Sequence, residues 1–165
     1  MIKTPLIFLT AILYTAAVFA EIPCGEEAYI YGSRYEMGKK SGSKYAMGKK
    51  GHVDVAKVYD DYKKTKEFHK YLQTKSFKSQ KEWDRLKREG RLQEAERFDA
   101  KTHEELEQER DTLVKEVLAD IDAAIKSFGK DSSYAFIIDG RCGNDGNDVT
   151  GEITDFMNRK YLDKG

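Results

Sequence analysis

Three histidines, His52, His69 and His103, and two cysteines, Cys24 and Cys142, are the side chains of this 165-residue chain best suited to metal or nucleophile chemistry. A zinc site needs such ligands two to five residues apart or folded onto one another. Here the histidines are scattered, with no Cys or paired carboxylate at ligand spacing. Neither cysteine stands in a C-x-x-C pair, the arrangement that makes a reactive thiolate. "GNDGND" (143–148) has the flavour of a calcium loop, yet it lacks the alternating carboxylates and the closing Glu, and it reads as a turn. Gly-Lys-Lys occurs twice in the tandem decapeptide "SRYEMGKKSG SKYAMGKKGH" (33–52). A phosphate loop needs four residues between its glycines and a hydroxyl residue after its lysine. Gly32 and Gly38, like Gly42 and Gly48, have five between them, and Lys40 and Lys50 stand where the hydroxyl should be. The expectation is therefore no catalytic residue, no metal site, no cofactor and no enzyme.

The chain begins in the manner of an exported protein. Lys3 precedes an uncharged apolar run, "PLIFLTAILYTAAVF" (5–19), and Val18-Phe19-Ala20 sets small residues before an expected cut at Ala20/Glu21. The run is shorter than the roughly 20 residues of a membrane span. An even pair of cysteines in an oxidising compartment then suggests one Cys24–Cys142 disulfide, although spacing alone does not show that the two meet. Basic and acidic side chains balance, 29 against 29, so overall charge does not point to nucleic acid.

The long middle must do the positioning. From about Lys57 to Phe128 there is no proline and one glycine, Gly90, among good helix formers. Leu106, Leu113, Val117, Ile121, Ala124 and Phe128 step at near-heptad spacing. The first half is less regular around "TKSFKSQ" (74–80). Residues 57–91 carry 12 basic and 6 acidic side chains, residues 92–130 carry 6 and 11. Oppositely charged arms favour an antiparallel pair folding at Gly90, over one continuous helix.

The flanks read as strands. "HVDV" (52–55) precedes the helices and "SYAFIID" (133–139) follows them. "GRCGNDGND" (140–148) reads as turn or hairpin, and "VTGEITDFMNRKYL" (149–162) as a short helix capped by Asp148 or Thr150, with Val149, Ile153, Phe156, Met157 and Leu162 on its apolar side. The expected fold is α+β: a long antiparallel coiled-coil hairpin projecting from a small β body made by both chain ends. The expected divisions are 1–20 as signal peptide, 21–51 as a mobile basic extension and 52–165 as the folded domain, with its arm at about 57–128.

These motifs resemble the Skp/OmpH family of periplasmic chaperones. "VDVAKVYDDYKKTKE" (53–67) looks like that family's opening strand and helix, "YAFIIDG" (134–140) like its strand after the hairpin, and "DVTGEITDFMN" (148–158) like its closing segment. The resemblance covers residues 52 to 160. The chain departs from the family in its somewhat shorter arms, in its 30-residue stretch before "HVDV" and in "RCGNDGND", where the family has an apolar strand. The resemblance implies a periplasmic homotrimer that holds unfolded outer-membrane proteins without ATP. Lys63, Lys66, Lys70, Lys75, Phe77, Lys78 and Trp83 are then candidate client-facing residues.

Arg34, Lys39, Lys40, Lys44, Lys49 and Lys50 against Glu36 give the decapeptide repeat a net charge of +5. That charge suits lipopolysaccharide or another anionic membrane surface. The rival expectation is a secreted coiled-coil adhesion or structural protein that binds anionic polymers through this repeat.

Overall fold

The structure is a computed structural model that describes residues 29–31, 49–144 and 146–163. The expected signal peptide and most of the expected basic extension lie outside the described residues. The chain is mostly helical with one small sheet. Strand β1 (Tyr29–Tyr31) and strand β2 (Lys49–Val53) are followed by helices α1 (Val55–Asp61), α2 (Lys63–Arg88) and α3 (Leu92–Asp131). Strands β3 (Tyr134–Asp139) and β4 (Asn147–Asp148) and helix α4 (Thr150–Leu162) complete it.

The sheet order is β1-β3-β2-β4. Strands β2 and β3 pair in parallel, which requires the long helical crossover between them. The apolar run of β3 suits a central strand, and Phe136, Ile137 and Ile138 are buried. Strand β1 joins its other edge antiparallel. The core lies where the sheet meets α1, the base of α3 and α4. Val53, Val58, Ile121, Ile125, Ile137, Val149 and Ile153 meet there, and none is more than 1% exposed.

Several boundaries differ from the sequence expectation, each for a local reason. The first strand was expected over 52–55 but spans Lys49–Val53. Asp54 ends it by capping α1: its carboxylate accepts the Lys57 N–H at 2.9 Å. The expected boundary between extension and domain therefore falls inside β2. Strand β1 also brings residues 29–31 into the sheet, where the Tyr31 ring seats on Gly129 of α3.

The "GRCGNDGND" segment, expected as turn or hairpin, turns at residues 140–142, where the Cys142 N–H donates to the Asp139 carbonyl at 2.9 Å, and then leads into a parallel strand. Strand β4 pairs with β2 in parallel, at Gly51–Asn147 and His52–Asp148. Helix α4 starts at Thr150 rather than Val149, with the Asp148 carboxylate accepting the Thr150 N–H at 2.9 Å. Leu162, expected on its apolar side, is 58% exposed. The last turn is anchored instead by Tyr161, whose ring meets Tyr62 edge-on at 5.7 Å.

The expected first helix is broken at Tyr62, whose ψ of 128° is extended. The second turn falls where glycine predicts it. Gly90 adopts φ +76°, its N–H donates to the Lys87 carbonyl, and the Arg91 N–H donates back to the Leu86 carbonyl. This is the paired-bond helix stop that a left-handed residue permits. Beyond it, α3 returns along α2. Lys64 near the start of α2 reaches Asp120 at 2.8 Å, and Lys75 further along reaches Glu109 at 2.5 Å. The later a residue falls in α2, the earlier its partner in α3, as antiparallel neighbours require. No helix among the described residues is long and apolar enough to cross a membrane.

Candidate interaction face

The seven residues singled out on α2 do not share one face. A helix turns roughly 100° per residue. On that repeat Phe68, Leu72, Ser79 and Leu86 form the side toward α3, where Phe68 and Leu86 are buried. Lys75 belongs to that side, half-buried and bonded to Glu109, which raises the pKa of its ammonium. Trp83, the one tryptophan of the chain, also turns partly inward and carries the Lys87 ammonium over its ring at 4.7 Å. Lys63 and Lys66 sit at the base: the Lys63 N–H donates to Asn158 at 2.8 Å, and Lys66 approaches Asp61 at 3.5 Å.

What remains is an outward face, opposite the seam. Lys70 and Phe77 lie on it and Lys78 stands at its border, all exposed. Phe77 is 61% exposed, unusual for a lone phenylalanine on a charged helix. The same repeat adds Lys81, Arg85 and Arg88, which the sequence reading missed although they fall four, eight and eleven residues beyond Phe77. The Lys81 ammonium lies 4.5 Å from the Phe77 ring centroid. Arg85 is held at 2.6 Å by both Glu82 and Glu89, which keep its guanidinium firmly charged. Lys70 and Lys78 have no ion-pair partner among the described residues. The face is thus an exposed phenylalanine ring at mid-arm, set among cations, with Asp84 the one acidic residue on the same stripe seven positions on.

Elsewhere the chemistry is structural. A cleft of about 570 Å³ between α2, α3 and α4 is lined by Tyr62, Lys64, Glu67, Asp120, Met157 and Tyr161. Its charges are engaged: Lys64 spans Glu116 and Asp120, and the Tyr161 hydroxyl donates to Glu67 at 2.7 Å. His69 packs against the rings of Tyr59 and Phe68, and His103 sits 3.5 Å from Glu107. No cluster of metal-ligating side chains occurs among the described residues. In β2, Lys49 and Lys50 are exposed, each ammonium 5.8 Å from an aromatic ring, those of Tyr134 and Phe136. Arg34, Lys39, Lys40 and Lys44 lie outside the described residues. Cys142 is disulfide-bonded; Cys24 lies outside the described residues.

Comparison with known proteins brings no match: no family model, curated protein or solved structure matches this chain.

Proposed function

We propose that this protein is an ATP-independent holdase chaperone of the periplasm, similar to the Skp/OmpH family, that binds unfolded outer-membrane β-barrel proteins. On this reading α2 and α3 form a coiled-coil arm, the sheet belongs to a body shared by three copies, and the arms enclose the client. The observation that carries it is the outward face of α2, with Phe77 exposed among Lys70, Lys78, Lys81, Arg85 and Arg88.

The chemistry suits the task. An unfolded barrel strand presents alternate apolar side chains and unpaired backbone edges, which aggregate when left in water. Without ATP, release must come from reversible binding, so each contact must be weak. One exposed ring and a set of surface cations provide that: a partly exposed apolar contact of about 1–2 kcal/mol and exposed charge pairs below about 1 kcal/mol each. The family likeness of the sequence motifs supports the same reading. So does the order strand, helix, helix, strand, helix around a parallel β2–β3 pair.

The test is light scattering. A urea-unfolded outer-membrane barrel protein is diluted into buffer with and without a molar excess of the full chain. Suppressed scattering is expected, and a weaker effect for Phe77→Ser. Unchanged scattering with the wild-type protein would remove the holdase reading, and sedimentation at the monomer mass would remove the trimer.

A further inference from the structure

The outward face of α2 has a counterpart on the same chain. Opposite its own seam, α3 presents Glu104, Glu107, Gln108 and Asp111, all exposed, with Asp111 also 2.9 Å from Arg110 and Glu107 3.5 Å from His103 along the same helix. The helix repeat places these four on one stripe. Within one arm the two surfaces point away from each other, because both lie opposite the seam. They nevertheless stand at the same height. The seam contact of Lys75 with Glu109 fixes that level, and Phe77 and Lys78 lie within one turn of Lys75, as Glu107, Gln108 and Asp111 do of Glu109.

We infer that the Phe77 face of α2 in one copy docks on the Glu104–Asp111 stripe of α3 in a second copy when no client is bound. The occupant is a second copy because the charges match at equal height. Side by side and parallel, as rotational symmetry arranges them, two arms bring Lys78 and Lys81 of one within about one residue of the level of Glu107 and Glu104 of the next. Contact also covers Phe77, the most exposed large apolar side chain among the described residues. Like surfaces repel: α2 against α2 sets cation on cation, and α3 against α3 sets carboxylate on carboxylate. The contact is therefore directional and repeats around a ring until it closes.

The inference takes from the preceding reading the parallel arrangement of copies and the client face, and it adds regulation. The client face is covered by a neighbouring arm at rest, and a client must displace that arm to bind. Lys78, without an ion-pair partner among the described residues, acquires one. Because the pairs are exposed, each is weak and screened by salt, so the closed state is readily reversible.

A photo-reactive phenylalanine analogue at position 77 of the full-length chain tests it directly. Irradiation at low ionic strength is expected to cross-link two copies, with the attachment mapping to residues 104–111. The product should fall at least tenfold at about 1 M salt, where the Debye length is about 3 Å, or on adding an unfolded barrel protein. Lys78→Glu with Lys81→Glu should abolish it, and adding Glu104→Lys with Glu107→Lys in the same chain should restore it. Cross-links that form between copies but map elsewhere, or do not form at all, overturn the inference. Suppressed client aggregation with no cross-link between copies would overturn this docking while leaving the holdase reading intact. The reverse result would remove the holdase and keep the docking.

Discussion

The Asp54 N–H donates to the Thr150 hydroxyl oxygen at 3.0 Å, across a sequence separation of 96 residues. The bond joins the two ends of the folded chain at the foot of α1 and α4. Asp54 caps α1, the Asp148 carboxylate holds the Thr150 N–H, and the Thr150 hydroxyl closes the loop back to Asp54. Two short motifs that look unrelated in sequence form one hydrogen-bonded clasp. Thr150 is 3% exposed, so its loss cannot be repaired easily by water. Thr150→Val keeps the shape and removes the acceptor, and should cost about 1–3 kcal/mol in urea unfolding. Thr150→Ser keeps the acceptor and should cost about 0.8 kcal/mol, the value of one buried methyl group. Equal losses for the two substitutions would show that the hydroxyl contributes nothing.

Asn158 performs a similar service at the helix break. Its carbonyl oxygen accepts the Lys63 N–H at 2.8 Å, and its amide approaches the Asp61 carbonyl at 3.4 Å. A helix interrupted at Tyr62 leaves backbone groups on both sides without helical partners, and one side chain of α4 serves both. Asn158→Leu should destabilise the fold by about 1–3 kcal/mol. It should also speed hydrogen exchange in the first turn of α2 more than in α3. Exchange rising evenly throughout would mean that the residue matters only for global packing.

These contacts explain what could be read from the sequence and what could not. The turn at Gly90 was legible because a lone glycine in a helical stretch has a local meaning. The charge difference between the halves likewise announced the antiparallel contacts of Lys64 and Lys75. The break at Tyr62 was not legible. "VYDDYKK" contains no glycine or proline, and the partner that stabilises the break, Asn158, lies 95 residues from Lys63. Strand β4 was hidden for the same kind of reason. Asn147 and Asp148 are poor strand formers, held there by pairing with Gly51 and His52. Of the client-facing candidates, Phe77 and its neighbouring lysines stood on a helix that composition predicted. Which of them faced outward depended on the seam, and an irregular stretch such as 74–80 does not reveal its seam.

Gly129 is fixed by its neighbour rather than by its backbone. A Cβ there would lie 2.5–2.8 Å from three ring carbons of Tyr31. In an exposed helix Gly→Ala stabilises by about 1 kcal/mol; here the clash should reverse the sign and destabilise by about 1–3 kcal/mol. In a Tyr31→Ala background, Gly129→Ala should become stabilising again. Thermal unfolding of the four proteins gives the coupling between β1 and α3. Additive effects would mean that β1 does not rest on α3.

Acid should weaken the clasp in a defined way. The Asp148 carboxylate accepts from the Thr150 N–H and hydroxyl, and these bonds depress its pKa below the ordinary 3.8. The unfolded chain then binds this proton more readily than the folded one, so Asp148 contributes stability that is fully present above that value. The contribution fades as pH falls through the lower folded value. Asp148→Asn retains an acceptor oxygen but cannot ionise. It should fold at neutral pH and lose less stability than the wild type between neutral pH and the acid limb. Parallel acid curves for the two proteins would count against the Asp148 bond as their source.

The middle of the arm is its weakest level, and this predicts where it opens first. Between Leu72 and Trp83 the α2 side of the seam is Lys75, Ser76 and Ser79 rather than apolar side chains. Thr74 and Ser79 turn their hydroxyls back onto the carbonyls of Lys70 and Lys75, and Thr112 does the same to Gln108 on α3. Such back-bonding slightly loosens and bends a helix. Amides of residues 74–80 should therefore exchange faster than those of residues 63–70 and 114–125 at neutral pH. Ser79→Leu places an apolar group in the seam beside Leu72 and Leu86 on the helix repeat. It should slow exchange at 74–80 and raise stability by about 1 kcal/mol. Uniform protection along α2, or faster exchange in Ser79→Leu, would show that this polar stretch is packed as tightly as the rest of the arm.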